Sequence, residues 1–223
     1  MPLRLRPTAP LAADAILVGD PGRALRLAQE LLEQPKMSNH ARGLWGYSGR
    51  TPAGAKLTIQ ATGIGGPSAA LVLGDLAELG VRRAVRVGSC TGAPGARLGE
   101  LLVVSEALAE GGSAAALGLE AGEAARPDPD LTARLGEAVG DEGRVGAVAS
   151  FDFHPAEHAL PDGALGADMQ TTPLLARART LGVELAAVLI VAEVEAGART
   201  LDEEELEARE KRAGHAARDV VSI

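Results

Sequence analysis

Short apolar runs rich in branched side chains alternate with stretches of helical period along almost the whole chain, and most of the apolar runs stop at a turn of small residues. Residues 15–19, 56–62, 83–87, 101–108, 144–149, 164–169 and 185–194 read as strands. Residues 22–33, 68–79, 131–139, 171–181 and 202–221 read as helices, the last highly charged with Leu206 on one face. Residues 109–130, rich in Gly, Ala and Glu with two prolines, predict a long surface excursion. Alternation of this kind predicts an α/β fold: one domain over residues 1–223, with a mixed, mainly parallel central sheet flanked by helices. Sites in such sheets form where strands end. Five turns follow apolar strands: GDPGR at 19–23, TGIGG at 62–66, GSCTG at 88–92, ADMQ at 167–170 and VAEVE at 191–195. They are expected to converge on one edge of the sheet.

The central run, Ala84 to Gly92, carries one charge, Arg86, and a largely buried strand does not ordinarily hold an arginine. Either Arg86 pairs with a nearby carboxylate, or it points off the strand end toward an anion that the backbone of Gly88, Ser89 and Gly92 can approach closely. Two other stretches favour the anion. Gly19-Asp20-Pro21-Gly22-Arg23 joins a strand to a helix start, where free N–H donors and partial positive charge suit phosphate. Asn39 to Gly49 sets Arg42 in a glycine-rich loop. Arginine forks match phosphate oxygens better than lysine does.

Composition narrows the rest. The formal charge of −8 argues against a broad nucleic-acid surface, so local arginine clusters must handle any anion. Cys90 is the only cysteine, which excludes an intrachain disulfide and a cysteine metal cage. His154 and His158 sit four apart without a third ligand nearby, so no metal is expected. The mildly basic N-terminus is a poor signal peptide, and no apolar run approaches the roughly 20 residues that span a bilayer. A cytoplasmic protein with no membrane contact is the expectation. The Gly63-Ile64-Gly65-Gly66 turn imitates a dinucleotide fingerprint, but its spacing is wrong and the acidic residue about 20 positions on is missing. No GK[ST] is present, which excludes a P-loop.

The GDPGR turn, the RGLWGYSG loop at 42–49, TGIGGPS at 62–68, the RVGSC strand at 86–90 and Asp168-Met169-Gln170 together resemble the nucleoside phosphorylase family that includes hexameric purine nucleoside phosphorylases and uridine phosphorylases. The likeness runs from about residue 16 to the C-terminus. It implies a phosphorylase/hydrolase-like fold and phosphorolysis of nucleosides to free base and pentose 1-phosphate, with purine nucleosides favoured and no cofactor beyond inorganic phosphate as co-substrate. It implies phosphate binding by Gly19, Arg23, Arg86 and Ser89, with Arg42 reaching in from a neighbouring subunit of a homo-oligomer, a hexamer in the family. Met169 would pack under the ribose beside Asp168, residue 170 would bond its hydroxyls, Phe153 would stack on the base, and Glu193 would protonate the leaving base, with Glu195 as its rival and Arg199 as a pairing partner.

Several positions depart from the pattern. Gln170 replaces a glutamate and offers no full negative charge to a developing cation. Thr91 replaces a glycine, His154 a frequent tyrosine, and Leu3 an N-terminal histidine that reaches a neighbour's ribose. Glu157 and Ala159 stand where uridine phosphorylases carry the Gln and Arg that read uracil. Uridine or another nucleoside as substrate, a hydrolytic nucleosidase, and a non-catalytic relative that binds nucleoside or phosphate are the competing readings.

Overall fold

The computed structural model describes residues 4–194 and 197–222, so Leu3 and Glu195 lie outside the described residues. Strands β1 (Asp14–Val18), β4 (Lys56–Ala61), β5 (Arg83–Gly92) and β10 (Glu184–Val194) form the parallel heart of the sheet, in the order β4-β1-β5-β10. Near-continuous burial, with alternate residues entering cores on opposite faces, explains why these strands read so clearly. In β1, Ala15 and Leu17 enter one core while Ile16 and Val18 enter the other; in β10, Leu185, Ala187 and Leu189 face one side and Ala186, Val188 and Ile190 the other. One core lies under α2 (Gly65–Glu78) and α5 (Thr171–Leu181). The second lies under α1 (Pro21–Leu31), α4 (Pro129–Val139) and α6 (Glu203–Val221). Helices thus cover both faces.

The margins are antiparallel. The sheet runs on from β4 through β3 (Gly46–Arg50) to β2 (Glu33–Asn39). On the other side, β6 (Leu101–Ala109) pairs antiparallel with β10 and parallel with β8 (Gly143–Ser150), β8 continues to β9 (Gly166–Asp168), and β9 returns to β5. Strands β10, β6, β8, β9 and β5 therefore close a ring. Short β11 (Arg199–Thr200) borders β10.

Three elements differ from the sequence expectation. Residues 39–49 are not one glycine-rich loop but the end of β2, the turn and most of β3 in the β2–β3 hairpin; β2, Glu-Gln-Pro-Lys-Met-Ser-Asn, is a polar edge strand with a proline, which hides its period. The excursion at 109–130 holds a one-turn helix, α3 (Gly112–Ala115), and a two-residue strand, β7 (Ala124–Ala125), that pairs with β6. Helix α2 opens at Gly65, three residues before the expected start.

Candidate active site

A cavity of about 530 Å³ opens at the C-terminal ends of β1, β5, β9 and β10, within the size range typical of small-molecule sites. All five stretches contribute to it, although 88–92 and 191–194, expected as turns, are the last residues of β5 and β10. Gly19, Arg23, Gly63, Ser89, Asp168 and Glu193 line it, each from a different strand end or from the helix start that follows one, and His154 and Pro155 close one side.

Arg86 is the centre of the polar floor and is buried. Its Nη2 donates to Asp168 Oδ2 at 2.8 Å, Nη1 to Gln170 Oε1 at 2.7 Å and Nε to Thr171 Oγ1 at 3.2 Å. The carboxylate partner expected for Arg86 is therefore present, and the arginine also lines the cavity. Asp168 is saturated in turn, accepting from Ser150 Oγ at 2.6 Å and from Thr171 N and Oγ1. Gln170 donates to Gly63 O at 2.5 Å, a carbonyl that the positive φ of +77° at Gly63 turns inward. Gly88 is required by the fold of Arg86 over its own strand: a Cβ there would lie 2.6 Å from Nη2 and 2.7 Å from Leu189.

Arg23 comes from the first turn of α1. Its Nε donates to Glu210 Oε1 at 2.7 Å and its Nη1 to Val87 O at 3.3 Å, which leaves Nη2 without a protein partner among the described residues. Glu210, buried on α6, also takes Arg26 Nη2 at 2.7 Å. The helix start itself is not the open anion site expected from GDPGR. Asp20 caps it, accepting from Arg23 N at 2.7 Å, so a protein carboxylate already answers its dipole.

At the opposite end of the cavity, Glu193 Oε1 accepts from the Thr91 hydroxyl and lies 3.4 Å from His154 Nε2. Cys90 also lines the cavity, but burial, reinforced by the charge of Asp168, pushes its thiol pKa far up, so it stays a thiol and is no nucleophile.

A sequence model described as the Phosphorylase superfamily matches residues 14–223. The chain belongs to that superfamily. It is 30% identical over 208 residues to a DeoD-type purine nucleoside phosphorylase of Bacillus cereus, a match that covers 87% of both chains. A DeoD-type purine nucleoside phosphorylase of Oceanobacillus iheyensis is 42% identical over 80 residues, which is 35% of this chain and only 34% of that relative. The uridine phosphorylase of Vibrio fischeri superposes with a TM-score of 0.80 over 95% of this chain and 92% of its own, at 23% identity, so the fold is shared.

Within this superfamily chain, Gly19, Arg23, Arg86, Ser89, Asp168, Met169, Gln170 and Glu193 gather in one cavity. Two expected residues do not. Phe153 is 71% exposed and does not line the cavity. Strand β8 ends at Ser150, and the turn after it sends Phe151 inward, stacked on the His158 ring at 4.5 Å, and Phe153 into solvent. His154 and Pro155 take the wall instead. Arg42, with φ of 60°, lies in a separate recess with Arg4, Arg6 and His40. The Glu193 carboxylate meets Thr91 and His154 rather than Arg199 among the described residues. Sequence reasoning missed Glu210, whose signal was only one acid among many on a charged helix, and gave Thr91 no role.

Proposed function

We propose that this protein is a phosphate-dependent nucleoside phosphorylase, a pentosyltransferase that turns nucleoside and inorganic phosphate into free base and pentose 1-phosphate, with purine nucleosides favoured. The observation that carries the reading is the single cavity into which two buried arginines, the Met169-Gln170 pair and Glu193 all open. Membership of the superfamily and a purine nucleoside phosphorylase relative matched over 87% of both chains support it. Neither Glu157 nor Ala159 lines the cavity, which favours purine over uracil.

In this reading phosphate sits at Gly19, Arg23, Arg86 and Ser89, the ribose lies over Met169 beside Gln170, and the base faces Glu193. A phosphate oxygen bonds to the anomeric carbon as the glycosidic bond breaks, and the electron pair of that bond leaves with the base. Protonated Glu193 hands its proton to the leaving base, and the proton shed by the attacking phosphate restores it through solvent. Guanidinium groups close to the incoming anion hold it in line and offset charge as the sugar gains cationic character. No cofactor is assigned, and the working compartment inferred is the cytoplasm; among the described residues no helix is long and apolar enough to cross a membrane.

The site is inferred to be shared. Arg42 lies outside its own chain's cavity, and the reading has it complete the phosphate site of a second copy, in an assembly of at least two and, by family resemblance, six chains.

Incubation with adenosine, inosine, guanosine and uridine, with and without phosphate, tests the reading. Base release that needs phosphate is expected. Release without phosphate identifies a hydrolase, and binding without release a non-catalytic relative; either refutes the proposal. At low phosphate, mixing an Arg42→Gln chain with an Arg86→Gln chain is expected to give more activity than either has alone, because a mixed pair contains one site with both arginines intact.

A further inference from the structure

Thr91 and Glu193 are brought face to face by an irregularity in the sheet. Strands β5 and β10 run parallel in register from Arg83–Glu184 to Cys90–Val191, and the next pair is Thr91–Glu193, with Ala192 passed over. Without that bulge Ala192 would stand beside Thr91, and the carboxylate would fall on the other face of the strand. With it, the Thr91 hydroxyl donates to Glu193 Oε1. Thr91 itself has little freedom. It is 6% exposed, its backbone is also paired with Ala167 of β9, and its branched Cβ restricts the hydroxyl's direction.

We propose that Thr91 is the positioning residue for proton delivery by Glu193, and that Oε2 is the oxygen that delivers the proton. The inference rests on the phosphorolysis reading above and deepens it. The hydroxyl carries one hydrogen, and an Oε1 that accepts it cannot also carry the acidic proton toward Thr91. His154 Nε2 approaches the same oxygen, at 3.4 Å. Both neighbours therefore engage Oε1, and Oε2 has no hydrogen-bond partner among the described residues. The acidic proton belongs on Oε2, on a carboxyl group held to strand β5 by the Thr91 hydroxyl. The proton leaves Oε2 for N7 of the purine as the glycosidic electron pair moves onto N9, so the base departs neutral, and the carboxylate formed keeps the Thr91 bond. The hydroxyl thus strengthens its hold as charge develops on Glu193.

The experiment compares guanosine with 7-methylguanosine and inosine with 7-methylinosine. The methylated bases carry a fixed positive charge and leave as neutral molecules with no proton, so they report on phosphate and sugar binding alone. Glu193→Gln is expected to slow the unmethylated nucleosides by about 100-fold or more and the methylated ones by less than about twofold, the scale of general acid catalysis. Thr91→Val, nearly the same shape without the hydroxyl, is expected to show the same selectivity with a loss of about tenfold in kcat. Thr91→Ser is expected to recover most of it, and Thr91→Ala serves if the valine variant does not fold. If Glu193→Gln shows the selective loss and Thr91→Val slows both members of each pair alike, or neither, the inference is overturned while the catalytic reading stands. If Glu193→Gln slows both alike, or the unaltered protein releases no purine base, the reading fails and takes the inference with it.

Discussion

Removing the carboxylate of Glu210 tests how the anion end of the cavity is held. Glu210 and Arg23 are both almost fully buried, and Arg26 is about one-third exposed at its side chain. When Glu210 becomes Ala, Arg26 can turn to water, but Arg23 cannot, and keeps only the 3.3 Å bond to Val87 O. The cost is therefore that of one stranded buried charge, about 3 kcal/mol, at the low end for broken buried pairs. For a chain of this length that lowers Tm by roughly 6–12 °C. Arg23 also loses the group that aims its free Nη2, so KM for phosphate is expected to rise about tenfold, the worth of a charge-assisted hydrogen bond. KM for the nucleoside is expected to stay within about twofold, since no nucleoside residue touches Glu210. The assays are thermal unfolding and initial rates with each substrate varied in turn. Glu210→Gln, whose carbonyl still accepts from Nε, is expected to lose less of both. The double variant Glu210→Leu with Arg23→Met removes the stranded charge, so it is expected to regain most of the stability and none of the phosphate affinity. A Glu210→Ala protein whose Tm and phosphate KM both match the unaltered protein refutes the reasoning.

Gly88→Ala is expected to cost about 1–3 kcal/mol by overpacking against Leu189 and Arg86, and to cut kcat/KM at least tenfold as Arg86 is pushed from Asp168; unfolding curves and initial rates check it. Asp20→Ala removes the cap of α1 and is expected to cost about 1 kcal/mol, or about 2–4 °C in Tm. Burial of Glu100 opposes its charge, but hydrogen bonds from Arg144 and Arg97 outweigh it and hold the carboxyl pKa below its ordinary 4.5. The sign follows: the stabilisation is complete above about pH 4.5 and drains away as pH falls through the lowered value. Tm of the unaltered protein is therefore expected to fall more steeply than that of Glu100→Gln below pH 4.5, and parallel curves there refute the assignment.

What the sequence disclosed follows the range of the interactions concerned. Four of the five stretches were legible because their small and polar residues follow or end apolar strands β1, β4, β5 and β10, whose C-terminal ends lie on one edge because they run parallel; Asp168 to Gln170 reach the same place on β9, which runs antiparallel to β5. The convergence of those four needed no long-range knowledge. Glu210 was not legible, because it lies 187 positions from Arg23 and its neighbours on α6 are mostly solvated charges. Thr91 was seen as a departure without a role, because the passed-over Ala192 that puts it opposite Glu193 leaves no mark on the apolar pattern. Phe151 and Phe153 are two apart, so a continuing strand would have put both on one face; the end of β8 at Ser150 separates them, and the expected stacking residue points to water. The polar hairpin strand β2 shows the same limit from the side of the fold, since an edge strand half in solvent carries no apolar period to read.

The charges around the cavity lead to one more expectation. Arg86 is answered by Asp168, Arg23 and Arg26 share Glu210, and Asp20 and Glu193 add two further carboxylates, so three guanidiniums face four acids. A phosphate dianion entering this cleft in a lone chain meets a surrounding that is already balanced or negative. Its hold would depend on the directions of the unused N–H bonds alone. A strong site needs a further cation, and Arg42 lies in a recess with Arg4 and Arg6, outside its own chain's cavity. If a second copy brings that recess over the cavity, phosphate affinity must follow assembly. Specific activity is then expected to fall on dilution in step with the loss of oligomer measured by sedimentation or light scattering, and phosphate KM is expected to rise before kcat for bound substrate changes. Arg42→Gln is expected to mimic dilution at every concentration, while leaving the assembly intact. Constant specific activity and constant phosphate KM across the dissociation range would show that the lone chain holds phosphate without its neighbour, and that the local charge balance has been misjudged.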